Sequence, residues 1–300
     1  MWMGIFAGLA AGALWGMVFI APQMLPTFTA VDVASGRFLS YGIFSCCVLS
    51  WGGLSQRWPT RNQFFEIIGL SILGFIAYYT WLSLSVQVIG SALPALIVGT
   101  IPVWVMIFGK PEGLLWKTLI PGLILTVAGL CLMSLEVFKH LSLKTPQSGL
   151  QFYTGFFWSV MATLSWIFYN LWNAKLLKKY PEIPATQWTN WLGVATGFGA
   201  LCLWLLMGSP VQKLFLPGSI FLTIVVLAGT GVGSAWLATV VWNIASQRLS
   251  PSLCGQLIVS ETLFALLFSF LWSGAWPSIW QGLAAFLFVL GILASVKAHQ

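Results

Sequence analysis

Apolar residues run through this chain in long unbroken stretches, broken at intervals by short clusters of Pro, Gly, Asn, Lys and Arg. Ten stretches stand out, at about 3–25, 33–54, 64–86, 90–109, 114–136, 152–174, 187–207, 219–242, 252–272 and 278–296. Each is near the ~20 residues a helix needs to cross a hydrocarbon core about 30 Å thick. Backbone groups in lipid must be satisfied within the segment, and a barrel would show alternating strands of ~10 residues instead. The pattern therefore predicts an all-α integral membrane protein of ten transmembrane helices. The first stretch starts at residue 3 without a basic segment before it. Its Leu9–Ala13 run resembles a signal cleavage site, but a retained helix is expected.

The stretches divide into two halves of five, residues 1–140 and 150–300, joined by the connection from Val137 to Gln151. The halves are weakly self-similar. At an offset of 160, Gly69 aligns with Gly229, Gly90 with Ser250, Ser91 with Pro251, Leu93 with Leu253 and Gly122 with Gly282. At an offset of 151, Gly4 aligns with Gly155 and Trp15 with Trp166. Five is odd, so the second half enters the membrane from the opposite side. Two inverted five-helix repeats are expected, with a site near the midplane between them.

Composition narrows the class. Of 300 residues, 59% are hydrophobic and 6% charged, whereas a soluble domain is about a quarter charged and can cover a water-facing surface. The net charge of +7 is scattered singly through short loops and forms no nucleic-acid footprint. With the N-terminus cytoplasmic, Arg57, Arg61, Lys110, Lys117, Lys175, Lys178, Lys179, Arg248 and Lys297 lie inside. Arg37, Lys139, Lys144 and Lys213 lie outside. This excess of inner cations predicts that both termini are cytoplasmic, in a bacterial-type inner membrane. Cys46, Cys47, Cys131, Cys202 and Cys254 all fall in apolar runs and read as small core residues. No metal-ligand cluster and no cofactor motif is present, so no metal and no cofactor is expected. No G-x-x-x-x-G-K-[ST] phosphate loop occurs, so transport would draw on gradients or exchange. An intramembrane enzyme would have only Asp32, Glu66, Glu136 and two peripheral histidines to work with, which makes a non-enzyme the expectation.

Glu261 is the main candidate for chemistry. Nine residues beyond Ser252, it lies roughly 13 Å into the membrane, where a charge costs at least about 2.5–3.5 kcal/mol unless paired, hydrated or protonated. Burial favours the protonated form of a carboxylate. Glu261 thus reads as a proton-coupling group, as a counter-ion for a cationic substrate, or as a hydrogen-bonded structural residue between helices four and nine. Cys254, Ile258, Ala265 and Phe268 share its face. Arg37, near the outer end of helix two, reads as a snorkelling cation paired with Asp32 or Glu136, or as an outer-gate, carboxylate-binding arginine.

Polar and aromatic residues recur at helical spacing. Trp166, Tyr169, Asn170 and Asn173 form one stripe, Trp236, Thr239 and Asn243 another, and Tyr78, Tyr79 and Trp81 a third. Trp15, Phe19 and Gln23 lie in the first helix, and Thr100 in the fourth. Amides are costly in lipid and should face protein or a wet cavity. Of eighteen tryptophans, Trp2, Trp51, Trp58, Trp116, Trp272 and Trp276 sit at span ends as an interfacial belt. Trp15, Trp81, Trp104, Trp166 and Trp236 lie deeper, either as packing or as an aromatic, cation-attracting lining. The candidate substrate set is Glu261, Trp15, Tyr78, Tyr79, Thr100, Trp166, Asn170 and Trp236. Pro22, Pro94 and Pro102 interrupt helices one and four and are candidate hinges. Where helix nine has Glu261 and Thr262, the equivalent register of helix four has Ile101 and Pro102. One half supplies a bend and the other a charge.

Ala13–Phe19 and Ala34–Ser40, with Ile101–Ile107 and Pro121–Leu130, resemble the EamA-type pattern of the drug/metabolite transporter superfamily. Ser250–Cys254, Ser260–Leu267 and the Gly282/Gly291 helix echo it in the second half. Thr262 stands where that family often has proline, and spans four and nine lack its common Gly-Glu ending. The resemblance covers essentially the whole chain. It implies ten helices in two inverted repeats around a central cavity, with helices five and ten set apart, and transport of small metabolites, often export of amino acids or drugs. The YddG-like aromatic amino-acid exporters share that architecture. The expected function is export of a small metabolite such as an amino acid, with protons as the expected coupling ion. The alternative is export of drugs or lipophilic cations. The expected partners are the substrate and the bilayer, with the protein a monomer or homodimer.

A reporter fused after Gln300 tests the orientation: a fusion active only in the cytoplasm is expected, and an extracytoplasmic signal contradicts the loop-charge reading.

Overall fold

Long apolar runs with polar caps produce helices here. A computed structural model describes residues 1–20, 24–25, 28–51, 58–90, 92–140, 149–210, 220–274 and 276–300, and no strand occurs among them. In chain order the helices are α1 (Trp2–Gly16, followed by a 3₁₀ turn, Met17–Ile20), α2 (Ala30–Trp51) and α3 (Arg61–Ile89). The two halves of α4, Ala92–Val98 and Ile101–Phe108, follow, then α5 (Trp116–His140) and α6 (Gly149–Lys179). The remainder are α7 (Ala185–Met207), α8 (Ile220–Arg248), α9 (Pro251–Ser273) and α10 (Ile279–Ala298). Among the described residues, seven of these (α2, α3, α5, α7, α8, α9 and α10) are long and apolar enough to cross a membrane. The apolar helices α1 and α4 are shorter.

Local chemistry sets the ends. Thr60 and Gln63 form a reciprocal capping box at the start of α3, as Ser278 and Gln281 do at the start of α10, so two orphan amides are met at each. Ser250 accepts a bond from the Leu253 amide with Pro251 behind it, and Gly274, with φ +66°, closes α9 in the left-handed conformation that glycine tolerates.

The predicted hinge region of α4 resolves into a turn at Gly99–Thr100, which separates the two short helices. Thr100 Oγ1 donates to the Ile97 carbonyl (2.7 Å) and accepts from Trp104 Nε1 (3.2 Å). Pro102 is buried in the first turn of the second piece and Pro94 sits in the first turn of the first, positions where a missing amide is harmless. Pro22 lies outside the described residues.

The packing has a regular plan. α2 packs on α7, α4 on α9 and α5 on α10, while α3 packs on α6 and α8 on α1. Both α3 and α8 contain a π-helical segment, Ile72–Ala77 and Gly231–Leu237, at closely matching positions in the two halves. Each π segment has a carbonyl taken by a neighbouring helix. Ser165 of α6 donates to the Leu73 carbonyl (2.6 Å), and Arg37 of α2 donates to that of Ser234 (3.3 Å). Helices α5 and α10 lie to one side and meet the rest largely through α4 and α9. Gln256 of α9 is the polar link to them, sharing bonds with Thr126 of α5 and Ser295 of α10.

The two ends of the bundle differ. The end holding Met1, Glu66, Gly109, Lys179 and Ser250 is dense. There the Gly109 carbonyl accepts from the Ser252 amide (3.0 Å), Lys179 pairs with Glu66 (2.8 Å), and every α9 residue from Ser252 to Ser260 is buried. From Glu261 onward α9 is partly exposed at almost every described position. The continuous burial of α9 thus ends near its middle, at Glu261.

Close approach of α2 and α7 depends on two glycines. A Cβ on Gly42 would stand 2.7 Å from the Gly197 Cα, and the reverse holds for Gly197. Gly42→Leu should therefore force these helices apart and lower the unfolding midpoint of the purified protein, by overpacking of about 1–3 kcal/mol or more. An unchanged midpoint would contradict this contact.

Candidate functional site

Between α1, α2, α3, α6 and α8, aromatic rings form a continuous chain. Trp15 of α1 contacts Trp242 of α8 and Trp166 of α6, at centroid distances of 5.2 and 6.1 Å. Trp166 stacks on Tyr169 (5.0 Å) and lies against Tyr78 of α3 (5.2 Å). Tyr78 meets Tyr79 edge to face (5.1 Å), and Tyr79 meets Phe38 of α2 (5.0 Å). These offset and edge-on geometries are the favoured ones for aromatic pairs. Tyr78, Tyr79 and Trp166 keep partial exposure, and Trp15 is 8% exposed.

Glu261 joins this wall through α1. That helix lies so close to α9 that a Cβ on Gly12 would meet the Ser260 hydroxyl and stand 3.0 Å from the Glu261 amide. Trp15 follows one turn later. The Glu261 side chain is partly exposed and has no hydrogen bond or ion pair among the described residues, so its carboxylate is not held as a structural strut. It lies within electrostatic reach of Arg37 and Tyr78.

Arg37 does not behave as the snorkelling cation that its sequence position suggests. It is 6% exposed and makes no pair with Asp32. Asp32 accepts instead from Thr29 Oγ1 (2.7 Å) and from the Ser209 amide (2.8 Å), which tie the start of α2 to the end of α7. The physical reason is geometric: five positions along a helix is about 140° around it, so the two side chains point apart. Arg37 donates from Nη1 to the Tyr79 hydroxyl (2.9 Å) and from Nη2 to the Ser234 carbonyl. The side chain of Glu136 is outside the described set.

Beneath the aromatic chain, toward the dense end, lies a buried amide cluster. Asn173 Nδ2 donates to Asn243 Oδ1 (2.9 Å), and Asn243 Nδ2 to Thr189 Oγ1 (2.9 Å). Trp188 Nε1 donates to Asn173 Oδ1 (3.0 Å), and the Tyr41 hydroxyl to the Thr189 carbonyl (2.7 Å). This joins α6, α7, α8 and α2 in one fully buried network. Satisfied amides in such surroundings are rigid and costly to open. The polar stripes through Asn173 and Asn243 are visible in the sequence. Their pairing is not, nor are the roles of Thr189, Trp188 and Gln256.

The predicted set is thus divided. Trp15, Tyr78, Tyr79, Trp166, Arg37 and Glu261 come together. Trp236 sits apart, with its Nε1 on Asn190 Oδ1 (2.7 Å) and its ring against Phe44 (4.9 Å). Asn170 returns its amide to the Trp166 carbonyl of its own helix (2.9 Å). Thr100 is spent on the α4 turn, and Trp104 is 43% exposed and stacks on Phe108. Glu66 is at the dense end, with Lys179.

The bundle buries Arg37 and gathers Trp15, Trp166, Tyr78 and Tyr79 between its helices. Residues 2–135 match the EamA-like transporter family. The chain is 27% identical over 308 residues to the inner membrane protein YtfF of Escherichia coli (strain K12), covering 98% of this chain and 95% of the relative. A solved crystal structure, 17% identical, superposes with a TM-score of 0.77 over 98% of both chains, a likeness of fold. Over residues 2–135, a little under half of the chain, the similarity is to the EamA-like transporter family.

Proposed function

We propose that this protein is a secondary active transporter of the inner membrane that exports a small metabolite, such as an amino acid, by alternating access, with Glu261 as its coupling and cation-selecting group. One observation carries the reading: Glu261 is a partly exposed mid-span acid without a hydrogen-bond partner among the described residues, beside an aromatic wall. An intramembrane carboxylate is costly and persists where it does work. The inner-membrane relative supports the location.

Several features support alternating access between two inverted repeats. Packings in one half have counterparts in the other, and both third helices carry a π segment. Rocking one repeat against the other would exchange which end is open. The amide cluster would seal the closed end, and the α4 turn at Gly99–Thr100 would let the two halves of that helix move separately. Pro94 and Pro102 would fix the halves on either side of it. Thr100, Asn170 and Trp236 would support the moving helices. Proton uptake at Glu261 would switch its demand for a counter-charge.

The aromatic wall and a mid-span acid without a partner among the described residues also suit a lipophilic-cation exporter of the same superfamily. Matched cells separate the two readings. Efflux of labelled amino acids supports the first, and resistance to lipophilic cations without such efflux supports the second.

Glu261→Gln in proteoliposomes tests the coupling. Flux driven by a pH gradient should fall at least about tenfold, the loss expected when a charge-assisted interaction of ~1.5–3 kcal/mol is removed, while exchange without a gradient is retained. Undiminished gradient-driven flux with unchanged binding removes Glu261 from the coupling role.

A further inference from the structure

Arg37 is a buried cation at mid-bundle whose counter-charge is missing. Three elements hold it still: its own helix α2, the Tyr79 hydroxyl of α3 and the Ser234 carbonyl of α8. Its guanidinium carbon also lies 5.2 Å from the Phe38 ring centroid and 5.8 Å from that of Tyr79. All of these partners are neutral. Asp32 is occupied elsewhere, and no carboxylate lies within ion-pair distance of Arg37 among the described residues. Its Nε is buried and has no hydrogen-bond partner.

The Ser234 carbonyl is offered by the π segment of α8. A π bulge loosens the helical ladder and turns backbone groups outward, which is why such segments gather at functional sites. Had the helix run regularly through Gly231–Leu237, that carbonyl would be committed to its own ladder. The fold therefore spends a backbone irregularity, a tyrosine hydroxyl and two rings on orienting one guanidinium without neutralising it. A buried charge left unpaired is expensive, and a rigid, desolvated guanidinium is a strong binder of carboxylates and other oxyanions.

Glu261 is its opposite. It is partly exposed and has no bond among the described residues, and it lies within electrostatic reach of Arg37 without an ion pair to it. Tyr78 interacts with both charges, and its ring packs on Trp166. Two unlike charges are thus held apart across an aromatic wall, each lacking the partner that the other could have been.

We infer that Arg37 determines specificity: it is the fixed cationic pole of the transport site and Glu261 the anionic pole, so the preferred cargo carries an anionic and a cationic group on one apolar or aromatic frame. This rests on the transporter reading and deepens it. A lipophilic cation satisfies Glu261 but is repelled by Arg37, and a simple anion meets the reverse. Only a doubly charged cargo relieves both poles at once. Tyr79 is then a positioning residue that acts through Arg37.

The test is binding to the purified full-length protein, followed by thermal unfolding, since a ligand that binds the folded state raises its midpoint. Three compounds on one frame are compared: phenylalanine, phenylalaninamide (cation only) and N-acetylphenylalanine (anion only). Phenylalanine should bind about 10- to 100-fold more tightly than either singly charged compound, the range expected for one charge-assisted hydrogen bond. Arg37→Met should erase its advantage over the amide, Arg37→Lys should keep part of it, and Tyr79→Phe should reduce it while leaving the charge in place. Glu261→Gln should erase the advantage over the N-acetyl compound, which keeps the test open should Arg37→Met fail to fold. Equal binding of the amide and phenylalanine, binding of none of the three, or unchanged discrimination in Arg37→Met overturns the proposal. If metabolite efflux is present in cells while the three compounds bind alike, transport stands and two-pole recognition falls. If no metabolite is moved, the transport reading fails on its own account.

Discussion

Every polar group in this bundle must find its partner inside the protein, because hydrocarbon offers none. Most of the architecture follows from that constraint. Backbone groups are met by helices, and where the helices cannot meet them, side chains do. Ser165 takes the Leu73 carbonyl, Arg37 the Ser234 carbonyl, and Thr100 the Ile97 carbonyl at the break in α4. Side-chain amides are met by one another, as in the Asn173–Asn243 pair, or by hydroxyls, as Gln256 is by Thr126 and Ser295. Buried polar atoms without a bond among the described residues include the Arg37 Nε, Asn170 Oδ1 and Trp242 Nε1, and the partly exposed Glu261 is also unpaired among those residues.

The satisfied amides and the aromatic chain occupy different levels of the same helices. At the dense end α6, α7, α8 and α2 are joined through Asn173, Asn243, Thr189, Trp188 and Tyr41, and α4 meets α9 through Gly109 and Ser252. Two helical turns nearer the other end, the same α6 presents Trp166 to Trp15 and Tyr78. One helix therefore carries both the amide cluster and the aromatic wall. In the proposed transport cycle, a movement that loosened the first would re-aim the second.

The π segments suit such movement. Each replaces a regular stretch of α3 or α8 with a wider turn whose carbonyls depend on a neighbouring helix. A helix anchored in this way can change its tilt by exchanging one hydrogen bond, without unfolding. That one of these anchors is the charged Arg37 links the geometry of α8 to the occupancy of the site.

Much of the fold was legible in the sequence. Long apolar runs specify helices of membrane-spanning length, and most observed limits lie within a few residues of the pattern, although α1 stops at Gly16 and α8 runs on to Arg248. The cost of a charge in lipid singled out Glu261, and helical spacing picked out Trp15, Trp166, Tyr78 and Tyr79. Spacing did not reveal which way each helix is turned. These helices are apolar nearly all round, so no amphipathic stripe fixes their rotation. Trp236 and Asn170 therefore read like Trp166 in the chain, yet one serves Asn190 and the other its own backbone. The same blindness joined Arg37 to Asp32 because they are near in sequence, and missed the Asn173–Asn243 bond because they are 70 residues apart. Composition and periodicity alone determined that the chain is a helical membrane protein and which residues are costly to place there. Only the tertiary structure decided which costly residues bond one another and which are left without a partner among the described residues, because that depends on helix rotation and on contacts between distant parts of the chain.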